Sequence, residues 1–174
     1  STILINSVSI SYCDRGSGMA VVFVHGHPFD RSMWEPQVEA LSWKYRVVTL
    51  DLRGYGESEV PGVEATTLET MARDVCGLLD HLRIERAVVV GLSMGGQVAM
   101  AFADLFPERL AGLVLAATFA EADTPDGAAA RRAMAERFVQ EGSVLPGGEM
   151  VPKLLAAASV KRDPQLAVKV YTMI

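Results

Sequence analysis

A serine lies between two glycines at the point where an apolar run gives way to a helix-forming segment. The run Ala87-Val88-Val89-Val90 is rich in β-branched residues and predicts a buried parallel strand. The segment from residue 97 to residue 103 contains Ala and Met but no Pro, and it predicts a helix. Between them, Gly91-Leu92-Ser93-Met94-Gly95 has the pattern G-x-S-x-G, which after a strand and before a helix is typical of a nucleophile elbow. We therefore predict that Ser93 sits on a sharp turn above a sheet.

The residue types around this serine have physical reasons. A sharp turn brings the chain so close to itself that a Cβ at Gly91 or Gly95 would clash. The helix that follows directs its N-terminal amide groups and the positive end of its dipole at the serine, where an oxyanion would develop. The simpler alternative is a glycine-rich helix start with Ser93 near the N-cap. A second motif upstream, at residues 25–28, favours the catalytic interpretation.

Strand and helix patterns alternate from residue 20 to residue 117. Four apolar runs predict buried strands: residues 20–24, 46–50, 87–90 and 110–117. Helices are expected between and after them over residues 34–44, 67–82 and onward from the elbow to about residue 105, and two short strands over residues 3–5 and 8–13. Such alternation predicts parallel βαβ units, which bind ligands beyond the carboxyl ends of their strands. The loops at 25–29, 51–58 and 118–123 are therefore expected on the same rim as Ser93.

The composition changes after Asp123. Residues 128–140, 149–160 and 164–174 are rich in Ala, Met, Leu and Arg, with Pro and Gly between them and no strand pattern. We expect an α/β core over residues 1–123. Residues 124–174 are expected to form two or three helices that make an incomplete lid (cap) over the rim.

Charge and composition argue against several classes of protein. The formal net charge is −5 and no cluster of Lys and Arg occurs, so a nucleic-acid partner is not expected. No apolar run is long enough to span a membrane, and the first residues lack the features of a signal peptide, so we expect a cytoplasmic location. The two cysteines, Cys13 and Cys76, make no disulfide framework, and the three histidines lack zinc-site spacing. No metal or other cofactor is expected.

Three separate blocks resemble the α/β-hydrolase fold family. They are His25-Gly26-His27-Pro28, Asp51-Leu52-Arg53-Gly54-Tyr55-Gly56-Glu57-Ser58 and Gly91-Leu92-Ser93-Met94-Gly95-Gly96. Together with residues 33–38, the elbow is most similar to the group of 3-oxoadipate enol-lactonases, aryl-esterases and cofactor-free haloperoxidases. The resemblance implies a mostly parallel sheet with helices on both faces, truncated here, followed by the start of a helical lid. It also implies hydrolysis of a small-molecule carboxylic ester or lactone.

The same resemblance assigns roles to individual residues. Ser93 would be the catalytic nucleophile, and the backbone amides of His27 and Met94 would form the oxyanion hole. His25 would be structural and hold its loop in place. Family members with an aspartate at the elbow open epoxides or remove halide, so the serine implies neither reaction.

The catalytic base expected from the family is missing from these residues. The family order is Ser, then Asp or Glu, then His, but no histidine follows His81, which we expect on the surface at a helix end. Glu121 or Asp123 could serve as the acid, and the ring of His27 is an alternative base. We expect a fragment of a longer hydrolase. The alternatives are a hydrolase-fold ligand-binding or receptor-like protein and a partner-dependent half with little or no turnover. The expected partners, besides the small-molecule substrate, are a second copy of the chain in a homodimer or a missing C-terminal segment.

Overall fold

The computed structural model describes residues 1–62, 66–142 and 144–174. These residues divide into two compact units, Ser1–Ala120 and Glu121–Ile174. The strands of the first unit are β1 (Thr2–Ile5), β2 (Val8–Arg15), β3 (Ala20–Val24), β4 (Arg46–Leu50), β5 (Ala87–Leu92) and β6 (Leu110–Ala116). Its helices are α1 (Glu35–Leu41), α2 (Leu68–His81) and α3 (Met94–Leu105), with 3₁₀ turns at Arg31–Trp34 and Pro107–Arg109.

The strands form one sheet in the order β1-β2-β4-β3-β5-β6. β1 pairs with β2, and β2 with β4, in antiparallel fashion. β3 lies between β4 and β5 and pairs with both in parallel, and β5 pairs in parallel with β6. The predicted parallel βαβ units and the antiparallel pair at the sheet edge are confirmed. Since β3 and β5 are neighbours, the loops that follow them meet at one edge of the sheet, where open α/β sheets bind ligands.

Alternate residues of β3 face opposite layers of the first unit. Val22 and Val24 belong to a core that also contains the apolar faces of α2 and α3. Val21 and Phe23 belong to a smaller core on the other face, which includes Trp34 beside α1. A strand covered on both faces needs apolar residues at every position, and all five residues of β3 are buried. The predicted helices on both faces of the sheet are therefore confirmed.

Helix boundaries differ from the sequence prediction mainly at α1. The helix ends at Leu41 and not at residue 44, because the Leu41 carbonyl accepts hydrogen bonds from the amides of both Lys44 and Tyr45 in a closing turn. The Thr67 side chain caps α2 by accepting a hydrogen bond of 3.2 Å from the Thr70 amide.

β6 is an edge strand of the described sheet, where it pairs only with β5. Its apolar side chains are correspondingly open: Leu113, Val114 and Leu115 are 37%, 47% and 43% exposed. An apolar edge strand with unpaired backbone groups is a ready site for pairing with another strand.

The second unit is helical, but its helices are more numerous than predicted. They are α4 (Pro125–Glu141), α5 (Val144–Gly148), α6 (Val151–Leu154), α7 (Ala157–Arg162) and α8 (Gln165–Tyr171). The helix expected over residues 149–160 is wrong as one element, because Leu155 and Ala156 adopt extended backbone and separate α6 from α7. The expectation of two or three helices is wrong for the same reason and because α5 had no sequence signal. The predicted division into a core over residues 1–123 and a lid stays a prediction.

Candidate active site

Ser93 adopts a backbone conformation that is uncommon for a residue with a side chain. Its φ is 54° and its ψ is −117°, between the end of β5 and the start of α3. Hydrogen bonds hold this conformation from both sides: the Ser93 amide donates to Ala116 O over 2.9 Å, and the Ser93 carbonyl accepts from Thr118 Oγ1 over 2.7 Å and from Gly96 N over 2.9 Å. Strain of this kind persists only where the surroundings fix it, and it concentrates at functional sites.

The glycines of the elbow are required by close approaches, as predicted. A Cβ at Gly91 would collide with the carbonyl of Gly95, and a Cβ at Gly95 would lie 2.5 Å from His25 O. Gly26 also faces the elbow, since its Cβ would lie 3.3 Å from the Cβ of Ser93. The loop after β3 is therefore packed directly against the turn that carries the serine.

The orientation of the peptide between Gly26 and His27 is fixed by two hydrogen bonds. The Gly26 carbonyl accepts from the Phe29 amide over 2.9 Å and from Nδ1 of His25 over 3.1 Å. In a planar trans peptide the carbonyl and the amide of the next residue point in opposite directions. Holding Gly26 O therefore holds the direction of the His27 N–H, which is the group the family resemblance assigns to the oxyanion hole.

His25 is a buried, neutral ring with both nitrogens engaged. Its Nε2 lies 3.0 Å from the amide nitrogen of Leu52, which can only donate, so Nε2 accepts and Nδ1 carries the proton given to Gly26 O. Burial lowers the pKa of His25, although the Gly26 carbonyl and the charge of Asp51 oppose this effect. Its ring connects the loop after β3 to the loop after β4, which is the structural contact expected of it.

Met94 is the first residue of α3, directly after the serine. The first amides of a helix have no carbonyl acceptor within the helix, and the helix dipole adds partial positive charge there. The Met94 amide therefore belongs to a helix N-terminus that can bind a negatively charged oxygen.

The loop after β4 acts as a scaffold around a buried carboxylate. Asp51 accepts hydrogen bonds from the Arg31 amide over 2.7 Å and from the Glu57 amide over 3.0 Å, and the Arg31 guanidinium forms an ion pair with it. The Ser58 hydroxyl donates to the Asp51 carbonyl over 2.7 Å. The two glycines of this loop have positive φ values, at 80° for residue 54 and 52° for residue 56.

Tyr55, in the same loop, reaches both residues of the expected oxyanion hole. Its hydroxyl lies 3.0 Å from Nδ1 of His27 and donates a hydrogen bond to Sδ of Met94 over 3.6 Å. Sequence analysis assigned Tyr55 no role of its own. The only sequence signal was its position in a loop expected at the rim, because contacts between separate loops leave no local pattern.

The other candidates for the acid and the base have different surroundings. His81 is exposed at the end of α2, as expected, with Nε2 3.3 Å from the Tyr12 hydroxyl. Asp123 belongs to the second unit, where its two carboxylate oxygens accept from Arg131 over 2.7 and 2.9 Å. This hydrogen-bonded ion pair holds the pKa of Asp123 below its usual value. Glu121 is the exposed first residue of that unit.

Three further features concern the buried cysteine, the grouping of metal-ligating side chains and the length of the apolar helices. Cys76 is a buried free thiol, and burial raises its pKa. Within the described ranges, no three side chains of His, Cys, Asp or Glu are grouped so that they could hold a metal ion. Among the helices in the described part of the chain, none combines the length and apolar character needed to cross a membrane.

A family model for the alpha/beta hydrolase fold matches residues 19–173, and the chain belongs to this family. The predicted fold class and the resemblance to enol-lactonases are confirmed by this match and by the relatives below. The candidate site lies on the elbow after β5 and on the loop after β3 that contains Gly26.

Relatives with several different enzyme names are similar to this sequence. The chain is 43% identical over 112 residues to 3-oxoadipate enol-lactonase 1 of Acinetobacter baylyi, covering 64% of this chain and 41% of that protein. It is 42% identical over 112 residues to epoxide hydrolase B of Mycobacterium tuberculosis, covering 63% of this chain and 31% of that protein. The structure of a thermophilic esterase from Thermogutta terrifontis superposes with a TM-score of 0.94 at 40% identity, over all of this chain and 65% of the other. The chain thus spans less than half the length of these two curated relatives.

Proposed function

We propose that this chain carries the nucleophile and the oxyanion hole of a serine hydrolase that acts on carboxylic esters or lactones. The observation that supports this most directly is the strained backbone of Ser93, packed against Gly26 of the loop after β3. Residues 1–123 would be the catalytic core and residues 124–174 part of a lid.

In the proposed reaction, a general base takes the proton of the Ser93 hydroxyl while the Ser93 oxygen attacks the carbonyl carbon of the substrate and forms a tetrahedral oxyanion. The same base returns this proton to the leaving oxygen when the intermediate collapses. The amides of His27 and Met94 donate to the oxyanion, and each such donor is worth about 3 kcal/mol of transition-state stabilisation. Collapse of this intermediate expels the alcohol and leaves an acyl group on Ser93, which water then removes. In a lactone the alcohol stays attached to the acyl group.

The substrate class is supported by the relatives named lactonase and esterase. Epoxide hydrolases are also among the relatives. By the family resemblance those reactions need an aspartate at the elbow, and this chain has Ser93 there, so we favour esters and lactones.

The base is proposed to come from outside residues 1–174. Both ring nitrogens of His25 are engaged in hydrogen bonds, and His81 lies beside Tyr12 at the end of α2. Loss of the histidine alone from a triad lowers turnover by about 10⁶-fold in subtilisin. Residues 1–174 alone are therefore expected to hydrolyse an activated aryl ester barely above the uncatalysed rate.

An added base tests whether Ser93 acts as a nucleophile when the catalytic histidine is missing. We expect imidazole to accelerate acetylation of Ser93 by p-nitrophenyl acetate, measured as a mass increase on the peptide that contains Ser93. Ser93→Ala should remove the acetylated peptide, whereas Ser17→Ala, in an exposed turn, should not change it.

Two outcomes would contradict the proposal. Rapid ester hydrolysis without imidazole that is lost in His27→Ala would make His27 the base. Absence of any adduct on Ser93, with the protein folded, would favour the ligand-binding alternative.

A further inference from the structure

We propose that the Tyr55 hydroxyl is a positioning group that sets the separation between the two amides of the oxyanion hole. This inference rests on the proposed function, in which His27 and Met94 supply those amides. Tyr55 itself donates nothing to the substrate in this arrangement and acts through its two neighbours.

The phenol oxygen of Tyr55 bridges two elements that are far apart in sequence. It lies 3.0 Å from His27 Nδ1, in the loop after β3, and 3.6 Å from Met94 Sδ, at the start of α3. The backbone of His27 is positioned by the loop after β3, and that of Met94 by α3. The Tyr55 hydroxyl is a polar group that touches the side chains of both, so it ties one side of the hole to the other.

The position of the Tyr55 ring is itself fixed by the loop after β4. The Tyr55 amide donates to Leu52 O over 3.0 Å, and the Tyr55 carbonyl accepts from the Ser58 amide over 2.9 Å. The ring meets the His25 ring edge-on with 5.2 Å between centroids, and the His27 ring with 5.9 Å. The phenol oxygen is therefore a fixed point between the side chains of His27 and Met94.

The protonation state of the Tyr55 hydroxyl allows it to bond both His27 and Met94. Burial raises the pKa of Tyr55, so the hydroxyl keeps its proton at neutral pH. A thioether sulfur can only accept, so the phenol proton points to Met94 Sδ. In the arrangement that satisfies both contacts, His27 carries its proton on Nδ1 and donates it to the phenol oxygen. Phenylalanine at this position would keep the ring contacts and lose both hydrogen bonds.

A boronic acid tests the oxyanion hole without a catalytic base. The Ser93 oxygen adds to the boron of phenylboronic acid, the serine proton passes to the buffer, and the tetrahedral adduct carries the negative charge. Tyr55→Phe is expected to weaken this equilibrium about fivefold, an effect of the size of one net hydrogen bond, because the two amides lose the contact that fixes their separation. The affinity for acetanilide, a neutral planar amide, is expected to stay unchanged. Tyr12→Phe loses another Tyr–His contact, with His81 at 3.3 Å, and should leave both affinities unchanged.

Met94→Leu provides a second test that does not depend on the folding of Tyr55→Phe. It removes the sulfur acceptor and keeps a side chain of similar size, so it should also weaken boronate binding. The double variant with Tyr55→Phe should lose less than the sum of the two single losses, because both remove the same bridge.

The outcomes separate this inference from the proposed function. If the unchanged chain binds no boronate, or Ser93→Ala binds it equally well, the proposed function fails. If the unchanged chain binds through Ser93 and Tyr55→Phe binds equally tightly, only the role of Tyr55 is wrong. Equal weakening of boronate and acetanilide, or additive losses in the double variant, would also overturn the bridge.

Discussion

Replacing His25 by Ala is expected to weaken the fold and to remove part of its sensitivity to acid. The ring is fully buried, and its Nε2 is the acceptor for the amide of Leu52, which is also fully buried. Without the ring, that N–H loses its partner while Gly26 O keeps the Phe29 amide. One unsatisfied buried donor costs about 1–3 kcal/mol, and the space left by the ring adds to it, so we expect a loss of about 3 kcal/mol at neutral pH.

The acid dependence follows from the buried state of the same ring. Burial lowers the pKa of His25 in the folded protein, whereas a histidine in the unfolded chain has a pKa of about 6.5. Below that pH, His25 of the unfolded chain binds a proton, whereas His25 of the folded chain stays neutral. The free energy of unfolding therefore falls with decreasing pH, by up to about 1.4 kcal/mol per unit, until the folded pKa is reached. His25→Ala lacks this contribution, so its stability deficit relative to the unchanged chain should shrink as the pH falls.

Urea unfolding followed by circular dichroism, at several values between about pH 7 and about pH 5, measures both effects. His81→Ala controls for the removal of an imidazole at neutral pH, and since His81 is exposed its loss should change the free energy of unfolding by less than about 1 kcal/mol. A stability deficit of His25→Ala that stays constant or grows with acid would refute the assignment of a buried neutral ring.

Three other substitutions test the scaffold of the site. Gly95→Ala should lower the free energy of unfolding by about 3 kcal/mol or prevent folding, since the added Cβ would collide with backbone atoms of the loop after β3. Gly112→Ala should be tolerated, because the Cβ there would make ordinary van der Waals contacts. Thermal melting of the two variants compares these effects. Asp74→Asn should lower the free energy of unfolding in urea by about 3 kcal/mol, because the Asp74 carboxylate is fully buried in an ion pair with Arg53. Glu35→Gln, in the exposed ion pair with Arg15, should lower it by less than about 1 kcal/mol. We expect the chain to self-associate through the exposed edge of β6, and Val114→Lys there should reduce this concentration-dependent association in sedimentation velocity; unchanged association would place the contact elsewhere.

The parts of the site that could be predicted from sequence are those encoded in contiguous residues. The elbow needs a strand, two glycines and a helix within about fifteen residues, and all of these can be read from residues 87–103. Its strained φ at Ser93 follows from the same local pattern. The contacts of Tyr55 with His27 and Met94 join two loops and the start of α3 across 28 and 39 residues of sequence, and no local pattern records such contacts.

The helices of the second unit were harder to predict for a related reason. Ala-rich segments favour helix almost everywhere, so propensity does not say where one helix ends and the next begins. The break at Leu155 and Ala156 contains neither Gly nor Pro, and the structure shows no local cause for it. The helix predicted over residues 67–82 differs from α2 by one residue at each end, since Thr67 caps α2 and the helix presents a row of buried apolar residues to the core.

The exposed edge of the sheet and the geometry of Ser93 are physically connected. The Ser93 amide donates to the carbonyl of Ala116, the last residue of β6, and the Thr118 hydroxyl just beyond it donates to the Ser93 carbonyl. β6 therefore holds the strained turn from one side, while α3 holds it from the other. Because β6 is open on its far edge, a strand that paired there would restrict its motion and stabilise the φ of Ser93. Covering this edge would thus contribute to the preorganisation of the oxyanion hole as well as to the stability of the sheet.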